Sequence, residues 1–143
     1  MATMTASTAM YPAYPAPSEK ALALFEEMKS FLATEVFPAE EAYARHREEH
    51  GHDDHTVPPV VEELKVRARE RGLWNLFLPH ETGLTQLEYA TIAELSGWSL
   101  EIAPEAINCA APDTGNMELL HMVGTEAQQA EWLAPLLDGE IRS

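Results

Sequence analysis

SEKALALFEEMKSFLATEV, residues 18–36, sets Leu22, Phe25, Met28, Leu32 and Val36 three and four positions apart, which lines them along one face of an α-helix. Ser18 precedes the run and Glu19 follows it, the side-chain acceptor and first-turn acid that a helix start uses. Downstream, Pro38 predicts a boundary or kink, and AEEAYARHREEH (39–50) a charged surface helix ended by Gly51. GHDDHTVPP (51–59) reads as a loop. Pro58 and Pro59 then suit the first turn of a helix through Arg71 with Val61, Leu64 and Ala68 inward, stopped by Gly72.

LWNLFLP (73–79) has little β-branched content and no partner strand in the sequence, so it is expected to be a buried connector. Thr85-x-x-Glu88 forms a capping box that opens a helix to about Ser96. Its apolar residues Leu87, Tyr89, Ala90, Ile92, Ala93 and Leu95 cover more than one face, which predicts a helix sunk in the middle of a bundle. Another helix is expected over Ala103 to Ala110, and Asp113 or Thr114 should cap a turn through Met117, Leu120 and Val123 up to Gly124. A second capping box, Thr125-x-x-Gln128, begins a last helix burying Trp132, Leu133, Leu136 and Leu137, kinked or shortened at Pro135, before the turn at Asp138-Gly139. The period is helical throughout. The expected architecture is an all-α, orthogonal bundle of about six helices over 18–143, behind a disordered Pro/Ala-rich tail over 1–17.

The composition narrows the partners. The chain has 143 residues, 24 acidic against 9 basic, for a net charge of −15, so nucleic acid and anionic membranes are disfavoured because phosphate binding needs clustered Lys and Arg. No stretch is long and apolar enough for a membrane-spanning helix, and the start lacks the features of a signal peptide or mitochondrial leader. A single cysteine, Cys109, forms no disulfide within the chain; a soluble, cytoplasmic protein is expected. Cys109 lies in an apolar helix, where a thiol is a small core residue with a raised pKa.

No Gly-rich phosphate loop, CxxC or Gly-x-Ser-x-Gly elbow occurs. The dense polar cluster is His46, His50, His52, Asp53, Asp54 and His55. His46 and His50 share a helix face at metal-ligand spacing, but the plainer reading is a solvated helix end, and no metal ligand is assigned. His80 and His121 have no sequence-level partner that makes either a base.

Three stretches, GLWNLFLP (72–79), APDTGNMELLH (111–121) and EWLAPLLDGEIRS (131–143), together resemble the acyl-CoA dehydrogenase family. The last, preceded by Gly124-Thr125-Glu126 and Gln128, is similar to the ending of that family's helical N-terminal domain, and the resemblance covers about 18–143. Glu81-Thr82-Gly83-Leu84 departs from a Gly-Gly pair common in the family. The resemblance implies a piece of a larger enzyme that dehydrogenates acyl-CoA thioesters at the α and β carbons, with flavin adenine dinucleotide (FAD) held between a middle β-domain and a C-terminal helical domain. It implies that the general base is also outside this chain, so no residue here is assigned as catalytic or FAD-binding. By the same similarity Ile107, Asn108, Ala111 and Gly115 line the acyl-chain wall, and the complete protein is a homodimer or homotetramer. A different reading is a free-standing acidic helical module that binds a partner protein or, through its histidines, a metal.

Overall fold

A computed structural model describes residues 15–143 apart from His52 and His55. The tail expected over 1–17 therefore falls almost wholly outside the described residues. Among them the chain is helical, in seven continuous segments joined by turns, and no strand occurs. The all-α expectation holds.

Helix α1 (Glu19–Phe31) starts as its sequence predicts, with the Ser18 side chain accepting from the Ala21 amide at 3.2 Å. Met28, Leu32 and Val36 are sealed inside, but Leu22 is half exposed and Ala21 takes the inner position one residue earlier. Pro38 does not end the helix. A π-turn (Leu32–Val36) widens it just upstream, the Phe37 amide donates to the Leu32 carbonyl five residues back, and α2 (Phe37–His50) continues. The physical reason is that proline lacks an N–H and its ring collides with the carbonyl four residues earlier; one wide turn removes the collision without breaking the rod. Pro135 is met the same way. Helix α8 (Glu126–Gln128) passes through a second π-turn (Gln129–Leu133) into α9 (Ala134–Leu137), and the Ala134 amide donates to the Gln129 carbonyl.

Helix α3 (Pro59–Glu70) buries Val61, Leu64, Lys65 and Ala68, and Gly72 takes φ +70° at its stop. The connector then buries Leu73, Leu76, Phe77 and Leu78 and leads into the single turn α4 (Pro79–Thr82). Helix α5 (Gln86–Ser96) has the expected capping box at Thr85 and Glu88, but it is one-sided: Ile92, Leu95 and Ser96 are buried while Leu87 is 40% exposed, so it lies on the bundle and not in its middle. Helix α6 is only Ala103–Ala106, shorter than expected, because Asn108 adopts φ +55° and turns the chain. Helix α7 (Asp113–Val123) has no side-chain cap; neither Asp113 nor Thr114 plays that part.

Two cores result. The larger joins α1, the first π-turn, α3, the connector, α5 and α6 around Phe31, Leu73, Ile92 and Ile107. The smaller joins Phe77 and Leu78 to Met117 of α7 and to Leu133 and Leu136. Tyr89 and Cys109 pack against both. Of the residues expected inside the last helix, Leu133 and Leu136 are buried, while Trp132, on the widened turn at Gln129–Leu133, is 49% exposed.

Candidate functional site

The three stretches that carry the family resemblance meet in space. Asn75 in the connector and Asn108 after α6 both sit at left-handed φ, +57° and +55°, a conformation that asparagine tolerates better than other residues with a Cβ. Asn108 Nδ2 donates to Asn75 Oδ1 at 2.7 Å and to the Leu136 carbonyl at 3.0 Å. Asn75 Nδ2 and Trp74 Nε1 both donate to the Leu137 carbonyl, at 2.9 and 2.8 Å, and the Asn75 amide donates to the Ile107 carbonyl at 3.1 Å. The connector, the turn after α6 and the end of α9 are thus held by one buried network in which both asparagine NH2 groups donate. The guanidinium of Arg69 covers the outer face of Trp74 at 3.7 Å.

A second junction lies beside it. Asp113, the first residue of α7, is buried, and its Oδ1 accepts from the Ser143 amide at 2.7 Å and hydroxyl at 2.6 Å. Its Oδ2 stands 2.5 Å from Arg142 Nε as an ion pair, and Arg142 also meets Glu105, whose other cation is Lys65 at 2.8 Å. An acid expected to cap its own helix therefore anchors residues 142 and 143 instead.

Between α7 and this anchored segment is an open hollow of about 390 Å³ lined by Asn116, Leu119, Leu120, Trp132, Leu136, Ile141, Arg142 and Ser143. Its rim continues into an apolar strip in which Leu119, Met122 and Val123 are 59%, 78% and 70% exposed. A contiguous strip of this kind marks a surface made to be covered. Of the four residues expected at an acyl wall, Ala111 and Gly115 are exposed, and a Cβ built on Gly115 meets nothing within 4 Å. Ile107 and Asn108 are enclosed, the first in the larger core and the second in the asparagine network. The structure does not bring the four onto one open face.

The remaining polar groups divide into inert and arranged. Burial pushes the Cys109 thiol up to about 11, against the partial opposing effect of Tyr89 and the Phe77 and Leu76 amides, so no thiolate nucleophile exists near neutral pH. His80 and His121 lie together with ring centroids 4.4 Å apart. Of the histidine cluster, His46, His50 and Asp54 converge, while His52 and His55 lie outside the described residues.

A flavin dinucleotide needs donors for two phosphates. The described residues offer no such cradle: Arg142 is the one cation lining the hollow, and Asp113 and Glu105 already hold it. The described residues do not fit the flavin.

A helical bundle without strands among the described residues, its last helix opened by a G-T-x-x-Q start beside an apolar hollow, is the helical-domain architecture that the three stretches resemble. The chain belongs to the family of acyl-CoA dehydrogenase N-terminal domains, whose model matches residues 18–140. Among its relatives, the "Probable acyl-CoA dehydrogenase FadE2" of Mycobacterium tuberculosis is 61% identical, the match covering 90% of this chain and 31% of that protein. "Acyl-CoA dehydrogenase family member 11" of Gallus gallus is 49% identical over 88% of this chain and 16% of its own length. A solved "putative acyl-CoA dehydrogenase from Mycobacterium abscessus" superposes with a TM-score of 0.81 at 45% identity, covering 90% of this chain and 34% of that one. This chain thus spans between 16% and 34% of the length of these relatives. No helix among the described residues is long and apolar enough to cross a membrane.

The sequence missed Asn75 and Asp113 as organising residues. A signal for Asn75 was available, since a lone amide inside the apolar run LWNLFLP has to find partners within the protein. Asp113 carried no comparable signal, because its partners lie 29 and 30 residues away.

Proposed function

We propose that this chain forms the wall facing the acyl chain in a flavin-dependent acyl-CoA dehydrogenase that removes hydrogens from the α and β carbons of an acyl-CoA thioester. The observation that carries this reading is the apolar hollow and strip along α7, at the convergence of the three family stretches. Charge supports it: a chain with 24 acids and 9 bases repels the phosphates of coenzyme A, so the part of the substrate it suits is the uncharged acyl chain. Ala111 and Gly115 present little side-chain volume to that chain, and Ile107 and Asn108 support the wall from behind. FAD would be held by parts of the complete protein outside this chain, where it would supply the redox chemistry, and the general base would come from there too. Beyond the hollow, the exposed end of the strip at Met122 and Val123 is where those parts would pack, in a homodimer or homotetramer located in the cytoplasm.

The test is to express the complete reading frame and titrate the purified protein anaerobically with acyl-CoAs of graded length. Bleaching of the oxidised flavin band is expected, and Gly115→Leu should move the preference toward shorter or slimmer chains by at least tenfold in kcat/KM. A colourless protein, or a variant with unchanged preference, refutes the reading.

A further inference from the structure

His46 and His50 are one turn apart near the end of α2, with their rings stacked at 3.9 Å and 18°. His50 Nδ1 lies 2.8 Å from the His46 carbonyl oxygen. A ring nitrogen beside a carbonyl carries the proton, so Nε2 is left with its lone pair, the tautomer that a metal ligand needs. His46 Nε2 is shut off from solvent and has no hydrogen-bond partner among the described residues; Asp54 Oδ2 lies 3.7 Å away. An orphaned ring nitrogen in the interior of a polar cluster is costly unless something occupies the gap.

Asp54 is positioned by other groups. The Thr56 amide and hydroxyl donate to its carboxylate at 3.2 and 2.8 Å, and Arg47 Nη1 donates to its carbonyl at 2.6 Å, drawing the loop back over the helix end. One ligand atom from each of His46, His50 and Asp54 lies within 4.8 Å of the others. In a tetrahedral site with bonds of about 2.0–2.2 Å the ligand atoms stand roughly 3.5 Å apart, so a closing movement of about 1 Å, available to the exposed His50 ring, completes the set.

We propose that His46, His50 and Asp54 bind a divalent transition-metal ion of the zinc type. Two imidazole nitrogens and one carboxylate oxygen select zinc or cobalt over calcium and magnesium, which want more oxygen ligands, and leave a fourth position for water. The hollow beside α7 is lined by none of these residues, so the site is independent of the acyl-wall reading. Its position at the mouth of the loop between α2 and α3 suits a structural ion that fixes this loop.

The experiment uses the full chain, stripped with chelator, and titrates it with Zn²⁺ by calorimetry and with Co²⁺ by visible absorption. One ion per chain, a Co²⁺ spectrum of four-coordinate intensity and a raised melting temperature with Zn²⁺ are expected. His50→Gln and Asp54→Asn, at positions that do not disturb the cores, should each weaken Zn²⁺ binding at least about tenfold with unchanged circular dichroism. The double variant His52→Ala/His55→Ala, altering the two other loop histidines, should keep binding within about threefold of the parent chain. Failure to bind Zn²⁺ up to about 1 mM, undiminished binding in His50→Gln, or loss confined to the double variant overturns the proposal.

Discussion

Asn108→Asp is the sharpest test of the buried network. The substitution keeps the size of the side chain and its tolerance of φ +55°, and changes the Nδ2 amide into an oxygen. That oxygen would face Asn75 Oδ1 at 2.7 Å and the Leu136 carbonyl at 3.0 Å, both acceptors. Two donations of about 1 kcal/mol each are lost, and Asn75 Oδ1 is left bare at about 1–3 kcal/mol while the Leu136 carbonyl keeps the Gly139 amide, giving a destabilisation of roughly 4 kcal/mol near neutral pH. With a urea m-value of about 1–3 kcal/mol/M the unfolding midpoint should fall by more than about 1 M. The introduced carboxyl adds a pH signature. Burial among acceptors raises its folded pKa above the unfolded value of about 3.9. Below that unfolded value it is protonated in both states and the penalty is smallest; as pH rises through the unfolded and then the folded pKa, the penalty grows. Asn108→Gly, which removes the donors without adding a charge, should cost less and show no such pH dependence. A midpoint for Asn108→Asp within about 0.3 M of the parent chain at pH 7 would refute the reasoning.

Asp113→Ala should destabilise the chain by about 3–5 kcal/mol, since Arg142 and the Ser143 amide lose a buried partner, and amide exchange at residues 141–143 should accelerate most. Gly139 holds φ +67°, and a Cβ there would come within 2.9 Å of Trp74 Cζ2, so Gly139→Ala should lower stability by about 1–3 kcal/mol, read by thermal melting. Glu88, which accepts from the Ser18 and Thr85 amides, is held at about 2, well below its ordinary 4.5. Because its folded pKa is depressed, the stability it contributes is present above pH 4.5 and is lost as pH falls toward 2; Glu88→Gln should flatten that limb of the melting-temperature profile, and a parallel profile would disprove the assignment.

What was legible in the sequence was local. Ser18, the Thr85/Glu88 and Thr125/Gln128 boxes and the glycine stops at Gly51 and Gly72 depend on residues within a turn of one another, and all fall where the spacing puts them. The apolar run around Asn75 announced burial but not the long-range amide network, because its partners at Asn108 and Leu137 are 33 and 62 residues distant. Pro38 and Pro135 announced a disturbance, yet a π-turn and a kink have the same local signal, and only the packing of Val36 and Leu133 selects the former. Leu87, Trp132 and Val123 look like core residues by composition and are exposed here, since the strip on α7 and the outer side of α5 use hydrophobicity for a surface. For the site, the resemblance named a stretch of chain, while the fold divided it into enclosed residues, Ile107 and Asn108, and open ones, Ala111 and Gly115.

The division into two cores gives the chain an order of assembly on the ribosome. Every fully buried member of the larger core, from Ala21 to Ile107, precedes α7, whereas the smaller core cannot close until Leu136 has been made. A chain emerging N-terminus first can therefore close its larger core while residues 108–143 are still inside the exit tunnel. Tyr89 and Cys109 would then wait on the flank of the first core as the template on which the second one docks.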